Sequence, residues 1–169
     1  MNNIINDKLD EVQNKYNKLI NELIKKNISI STMESCTGGF IASLITDTEG
    51  ASDIFKGSLV TYSNEAKIRA GVSRDIIAKY GVYSNETAKA MAGSVRDYYK
   101  SKIGIGITGS IGCIDPNNID SVPNEIYIGV TYEGKDNVYS LSLINVIERF
   151  HGKLMIAEQL CDIINLLIN

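Results

Sequence analysis

Apolar residues Ile5, Leu9, Val12, Tyr16, Leu19 and Leu23 alternate steps of four and three. That spacing lines them along one stripe and predicts a helix over 6–26. Two uses of the stripe stand open: docking on the protein's own core, or a coiled-coil seam about three heptads long. The segment 28–33, Ile-Ser-Ile-Ser-Thr-Met, alternates with period two and predicts a strand. After a polar, glycine-containing stretch, Phe40, Ile41, Leu44 and Ile45 return to helical spacing. A second strand is predicted over 57–63, with Leu59, Val60 and Tyr62 as its bulk. A helix over 64–70 follows, stopped by Gly71. Ser73 can cap a short helix ending at Gly81. Ser84 can cap a longer one to about Lys100, burying Ala88, Met91, Ala92 and Val95. The run 103–108, Ile-Gly-Ile-Gly-Ile-Thr, reads as a buried strand whose glycines admit another backbone or a ligand. A Gly-, Asn-, Asp- and Pro-rich loop spans 109–124. Strands over 125–132 and 137–144 form a hairpin across 133–136. The segment 150–168 closes as a helix with Leu154, Ala157, Leu160, Cys161, Ile164 and Leu167 on its apolar side.

Strands that alternate with helices, plus one hairpin, predict an α/β fold with a mixed sheet. The length fits a single domain over 1–169, with 1–27 as an N-terminal amphipathic helix. Apolar residues make up 44% and charged ones 22%, so one core can be filled and disorder is not expected. A net charge of −3 without a basic block gives a nucleic-acid partner no electrostatic support. No apolar run approaches the ~20 residues of a membrane helix. The first ten residues hold no apolar signal core, so a cytoplasmic location is expected. Cys36, Cys113 and Cys161 have no metal-like spacing, and their odd number does not make a disulfide framework. His151 is the single histidine, too few for a zinc site and the lone candidate for a serine triad.

Three segments carry candidate chemistry. In Glu34-Ser-Cys-Thr-Gly-Gly39 a strand runs into a helix, a place where Ser35 is exposed and backbone N–H groups approach a substrate. The alternative is that Ser35 or Thr37 caps the helix, and the two readings weigh equally on spacing. Cys36 is the rival nucleophile; with no neighbouring histidine or cation cluster it reads as a small buried residue. In Thr61-Tyr-Ser-Asn-Glu-Ala-Lys67 a strand end meets a helix start. With no useful histidine, a desolvated Lys67 can serve as base and Tyr62 can relay a proton; the plainer reading is a solvated helix lysine. Thr108 and Gly109, at the end of the glycine-spaced strand, can hold a phosphate or carbonyl, or be an ordinary strand end.

Together these segments, with 81–92 (Gly-Val-Tyr-Ser-Asn-Glu-Thr-Ala-Lys-Ala-Met-Ala) and 126–130 (Ile-Tyr-Ile-Gly-Val), resemble the CinA C-terminal domain, the nicotinamide-nucleotide amidohydrolase family. The likeness runs from about Leu19 to Leu167. It implies a three-layer α/β/α sandwich and no molybdopterin-binding-like domain of the kind longer relatives carry. It implies hydrolysis of nicotinamide mononucleotide to nicotinate mononucleotide and ammonia, without metal or organic cofactor. The family's serine–lysine pair falls on Ser35 and Lys67, its tyrosine on Tyr62 and its threonine on Thr108, with Thr37, Gly38, Gly39 and Gly109 around the substrate. Backbone donors near 37–39 would hold the oxyanion. A small-molecule nucleotide is the implied ligand and a homodimer the implied assembly, with the stripe from Ile5 to Leu23 adding contact area.

Two departures bear on the nucleotide. Ser110-Ile-Gly-Cys-Ile-Asp-Pro116 stands where the family has a glycine-rich loop, and Leu154 where it has an arginine; the nearest arginine is Arg149. A glycine loop and an arginine are what a phosphate requires, so weak activity on the nucleotide is expected. The alternatives are a nucleotide-binding or interaction module with weak or lost turnover, and an amidase of a different substrate.

Overall fold

The computed structural model describes residues 2–169. The first stripe forms α1, Asn2–Lys25, and Ile5, Val12, Tyr16, Leu19, Ile20 and Leu23 along it are buried within the chain. The docked reading therefore holds and the coiled-coil seam is overturned: that stripe lies against the protein's own core and is not free for a second copy. The Tyr16 hydroxyl donates to the Ala157 carbonyl at 3.1 Å, fastening α1 to the last helix.

Strand β1, Ile30–Glu34, is flanked by β2, Phe55–Val60, and β3, Ile103–Gly109, both parallel to it. Antiparallel strands β4, Glu125–Tyr132, and β5, Lys135–Ser142, extend the sheet to the order β2-β1-β3-β4-β5. The mixed sheet is thus as expected. The central β3 is buried throughout, while β5 and β2 are edges with exposed residues along them. Ile103, Ile105 and Ile107 of β3 face α1 and α6, Arg149–Ile168. Gly104 and Gly106 face α5, Asn85–Tyr99, on the other side. A Cβ at Gly106 would lie 2.3 Å from the Ala88 carbonyl oxygen. What approaches the glycine-spaced strand is therefore a helix backbone. Helix α2, Phe40–Thr46, shares the α1/α6 face; α3, Asn64–Arg69, and α4, Arg74–Tyr80, lead into α5. The layers make an α/β/α sandwich.

Of the boundaries that differ from expectation, those of β2 and of the hairpin turn matter most. Strand β2 ends at Val60, so Tyr62 lies beyond it and is 66% exposed. The strand is an edge with a bulge opposite Ile30/Ser31; Phe55 and Leu59 pack against the core, while Val60 is 53% exposed and is not core bulk. The hairpin turn is Glu133-Gly134 alone, with φ of 50° and 75°. Two residues with positive φ make the tight turn whose twist matches the strands, so Lys135 and Asp136 are freed to pair in β5. Among the described residues no helix is long and apolar enough to cross a membrane.

Candidate active site

The carboxyl ends of β1, β2 and β3 converge where crossovers leave on opposite faces, the position at which open α/β sheets bind ligands. At the end of β1 the chain turns sharply. Ser35 N–H still donates to the Ile107 carbonyl of β3, and Gly38 N–H closes a turn onto the Ser35 carbonyl, both at 3.0 Å. Gly38 and Gly39 have φ of 64° and 92°, a left-handed path that side chains resist. The fully buried Glu34 carboxylate accepts from the amides of Gly39, Ile41 and Ala42 at 3.0, 3.1 and 2.8 Å. Glu34 therefore caps α2, and neither Ser35 nor Thr37 does. Its charge also absorbs the positive end of that helix.

Opposite the turn, Ser63 caps α3 by accepting from Ala66 N–H at 3.1 Å. One turn on, Lys67 points back into the protein and is 1% exposed. Its ammonium nitrogen donates to Ser35 Oγ at 3.0 Å and to the Thr61 carbonyl at 2.8 Å. Burial lowers its pKa from 10.5 to about 8, against smaller raising contributions from Cys36 and Asp115. The solvated-lysine reading is excluded by that burial. Cys36 is buried, and burial pushes its thiol up to about 12, so the rival beside Ser35 is a poor thiolate. His151 is spent elsewhere: its Nδ1 accepts from Ile147 N–H at 3.2 Å.

Ser35 opens into a cavity of about 520 Å³, within the ~300–1,000 Å³ of small-molecule sites. Ser35 and Cys36 form its floor, the stretch 62–65 one wall, and Tyr83, Gly109 and Ser110 another. The residues 113–118 and Arg149 complete it. Asp115 holds the loop rigid. It accepts from Tyr83 OH at 2.6 Å, Asn118 Nδ2 at 2.7 Å and Asn117 N–H at 3.0 Å. Those bonds keep the Asp115 carboxyl below the usual carboxylate range, while burial and the Asp115 contact push the Tyr83 phenol up. Asn64 Nδ2 ties α3 to the same loop through Asn118 Oδ1 at 3.0 Å. The family-like glycine loop is thus replaced by one anchored through side chains.

The expected site residues separate into three groups. Ser35 and Lys67 are in contact; Tyr62 and Gly109 line the cavity, the tyrosine with its hydroxyl accepting from Arg149 Nη2 at 3.1 Å. Thr108 is fully buried with its hydroxyl donated to the Val82 carbonyl at 3.0 Å, away from the cavity, because alternate residues of β3 face opposite layers. Thr37, Gly38 and Gly39 form the turn beneath Ser35 and do not line the cavity; Thr37 Oγ1 is buried with no partner among the described residues. The amides of Gly38 and Gly39 are already committed. Among the described residues, those of Cys36 and Thr37 donate to no acceptor on another residue, and of the two only Cys36 lines the cavity. Leu154 is fully buried in the core, so its position cannot present an arginine to this cavity; Arg149, first residue of α6, is the one that lines it. Sequence reading assigned no role to Glu34, Tyr83, Asp115 or Asn118. The dense Asp/Asn content of 115–120 is the available signal for Asp115 and Asn118.

The model of the CinA C-terminal domain matches residues 12–151. The chain belongs to the CinA C-terminal domain family. A protein of Clostridium novyi (strain NT) named as competence-damage inducible is 40% identical over 123 residues, 72% of this chain and 30% of that protein. A CinA-like protein of Kosmotoga olearia is 39% identical over 126 residues, 74% of this chain and 30% of its own length. The chain thus spans under a third of these curated relatives. The crystal structure of the competence/damage inducible protein CihA from Agrobacterium tumefaciens superposes with a TM-score of 0.84 at 22% identity, covering 94% of this chain and 96% of that one. At that identity the likeness speaks for the fold alone.

Proposed function

We propose that this CinA-family chain is an amidohydrolase that converts nicotinamide mononucleotide to nicotinate mononucleotide and ammonia through Ser35 and Lys67. The observation that carries the reading is the 3.0 Å contact between Lys67 Nζ and Ser35 Oγ, made by a lysine 1% exposed whose pKa falls to about 8. A lysine in water is a cation and no base at pH 7. A site that removes water makes the neutral amine accessible. The Thr61 carbonyl takes one amine hydrogen and aims the lone pair at Ser35 Oγ.

Neutral Lys67 removes the Ser35 proton as Oγ attacks the carboxamide carbon. The Cys36 amide, on the cavity floor and bonded to no other residue, is the backbone donor at hand for the oxyanion that forms. Collapse expels ammonia, which takes the proton from Lys67. Water, deprotonated by the same amine, then cleaves the acyl ester, and Ser35 Oγ leaves by taking that proton back from Lys67. Tyr62 stands at the mouth, bonded to Arg149, and shapes entry rather than touching the dyad.

A second reading, a module that binds the nucleotide without turnover, is favoured by the side-chain-anchored loop over 110–118 in place of glycines. Ammonia release from nicotinamide mononucleotide, measured beside the melting temperature with ligand, separates the two. Turnover lost in both Ser35→Ala and Lys67→Met supports the hydrolase; a ligand-induced melting shift with no ammonia from the unaltered protein replaces it with the module.

A further inference from the structure

We infer that Thr61 is a positioning residue for Lys67: its hydroxyl is held in reserve to accept from the Lys67 ammonium that forms when Ser35 gives up its proton. The inference rests on the Ser35–Lys67 reading. It starts from two orphaned groups. Among the described residues, Thr37 Oγ1 and Thr61 Oγ1 are the buried side-chain polar atoms with no hydrogen-bond partner. Buried hydroxyls elsewhere are satisfied. Ser31 bonds to Ser101 at 2.7 Å, Thr32 donates to Ser58 at 2.7 Å, Thr87 to the Gly81 carbonyl at 2.7 Å and Thr131 to Asp136 at 2.8 Å. A buried hydroxyl without a partner opposes folding. Both orphans nevertheless fall in the two segments that carry the dyad, Thr37 just after Ser35 and Thr61 just after β2 and before Lys67.

Of the two, Thr61 is the one that touches the amine. Its carbonyl accepts from Lys67 Nζ at 2.8 Å, and its own N–H is fixed on the Glu34 carbonyl at 2.8 Å. The backbone is thus held from both sides, which keeps the hydroxyl beside the amine. An amine nitrogen has three directions beyond its carbon. On Lys67 one faces Ser35 Oγ at 3.0 Å and one the Thr61 carbonyl. Among the described residues the amine has no third hydrogen bond. Lys67 is buried and does not line the cavity, so the third direction points into protein.

For the neutral amine an N–H in that direction is a weak donor, and little is lost. Attack by Ser35 changes this. The O–H bond of Ser35 breaks, an N–H bond forms on Nζ, and the amine becomes an ammonium. Its hydrogen bonds are roughly twice as strong as neutral ones. An acceptor in the third direction therefore stabilises the state in which Ser35 has lost its proton. The Thr61 hydroxyl accepts through a lone pair and does not itself ionise, and its hydrogen turns to suit the new partner.

The test uses the full chain with Thr61→Val, which keeps the shape and deletes the hydroxyl, and Thr61→Ser, which keeps the hydroxyl. Ammonia release from nicotinamide mononucleotide is measured at pH 9, where the amine is mostly neutral. For Thr61→Val kcat is expected to fall about threefold to tenfold, with KM unchanged because Thr61 does not line the cavity. Thr61→Ser restores kcat. Stability moves the opposite way: at pH 9 Thr61→Val melts ~2–4 °C higher, since an orphaned group is gone, and at pH 6, with the ammonium present, the gain shrinks. Thr131→Val, which deletes a paired hydroxyl where β4 meets the start of β3, melts lower and keeps kcat. The titration of Lys67 is followed by NMR on carbon-labelled lysine. Its midpoint is expected to fall by up to about one pH unit in Thr61→Val. Burial, Cys36 and Asp115, which bear on the amine in the unaltered protein, stay the same in the variant. An unchanged kcat, a lower melting temperature at pH 9, or an unmoved Lys67 midpoint overturns the inference. No ammonia from the unaltered protein, with the midpoint and melting shifts both present, overturns the hydrolase reading and leaves Thr61 as the acceptor for Lys67.

Discussion

Lys67 shows what burying one amine costs in stability. Its pKa falls from 10.5 to about 8 because the folded protein disfavours the charged form. Below pH 8 the amine is protonated in both states, and folding bears the full cost of burying the charge. Between pH 8 and 10.5 the unfolded chain binds more protons, so stability rises with pH; above 10.5 the cost is gone. A shift of this size corresponds to about 3 kcal/mol, offset by roughly 1 kcal/mol for each hydrogen bond the amine makes. Lys67→Met is therefore expected to abolish turnover and to raise the melting temperature at pH 7 by ~2–4 °C, the equivalent of about 1 kcal/mol in a chain this size. The gain should vanish by pH 10, which calorimetric scans at both pH values will check. Turnover of the unaltered protein should rise with pH to a midpoint near 8 and then level. A rate independent of pH from 6 to 9 contradicts Lys67 as the base. Glu34 acts through position. Glu34→Gln sets an NH₂ group against buried amide donors, and should lower kcat at least tenfold with KM and the pH midpoint nearly unchanged. A melting-temperature loss with kcat intact would limit Glu34 to a structural cap.

At the scale of elements, close approach of α5 to the sheet depends on residues without side chains. Gly106 faces the Ala88 carbonyl and the Ala92 amide, both backbone, which cannot swing aside. Gly106→Ala should cost about 1–3 kcal/mol or more, as overpacking does, visible as a lower urea midpoint. An unchanged midpoint would mean that α5 can shift freely. Helix α6 divides its work by turn. Arg149 reaches the cavity from its first residue, whereas Leu154 is enclosed by apolar neighbours. Leu154→Arg puts an unpaired charge in the core and should cost at least ~3 kcal/mol, lowering both the urea midpoint and activity. Increased activity in that variant would place 154 in the site.

For the whole molecule, the α1–α6 contact closes one face of the sandwich. Leu19 is 1% exposed there, and Leu19→Ala is expected to cost ~2–5 kcal/mol while leaving the sedimentation mass unchanged. Loss of mass without loss of stability would return the stripe to an intermolecular seam. Ion pairs from Lys8 and Lys15 to Glu158 at 2.6 and 3.0 Å rim the same contact. They orient the helix on its partner, and burial of the stripe supplies most of the energy.

Helices, strands and the three motifs were legible in the sequence because they follow from local periodicity and capping. The stripe of α1, the Ser73 and Ser84 caps, the buried glycine-spaced strand and the pairing of Ser35 with Lys67 all reflect spacing or family likeness. What the tertiary structure decided is direction and distance. Which side of β3 carries Thr108, which turn of α6 meets the cavity, and which amides Glu34 consumes depend on how layers stack across dozens of residues. Local sequence constrains neighbours along the chain, while burial, and with it the altered proton affinity of Lys67, arises only when Ser35, Thr61 and Lys67 are enclosed together.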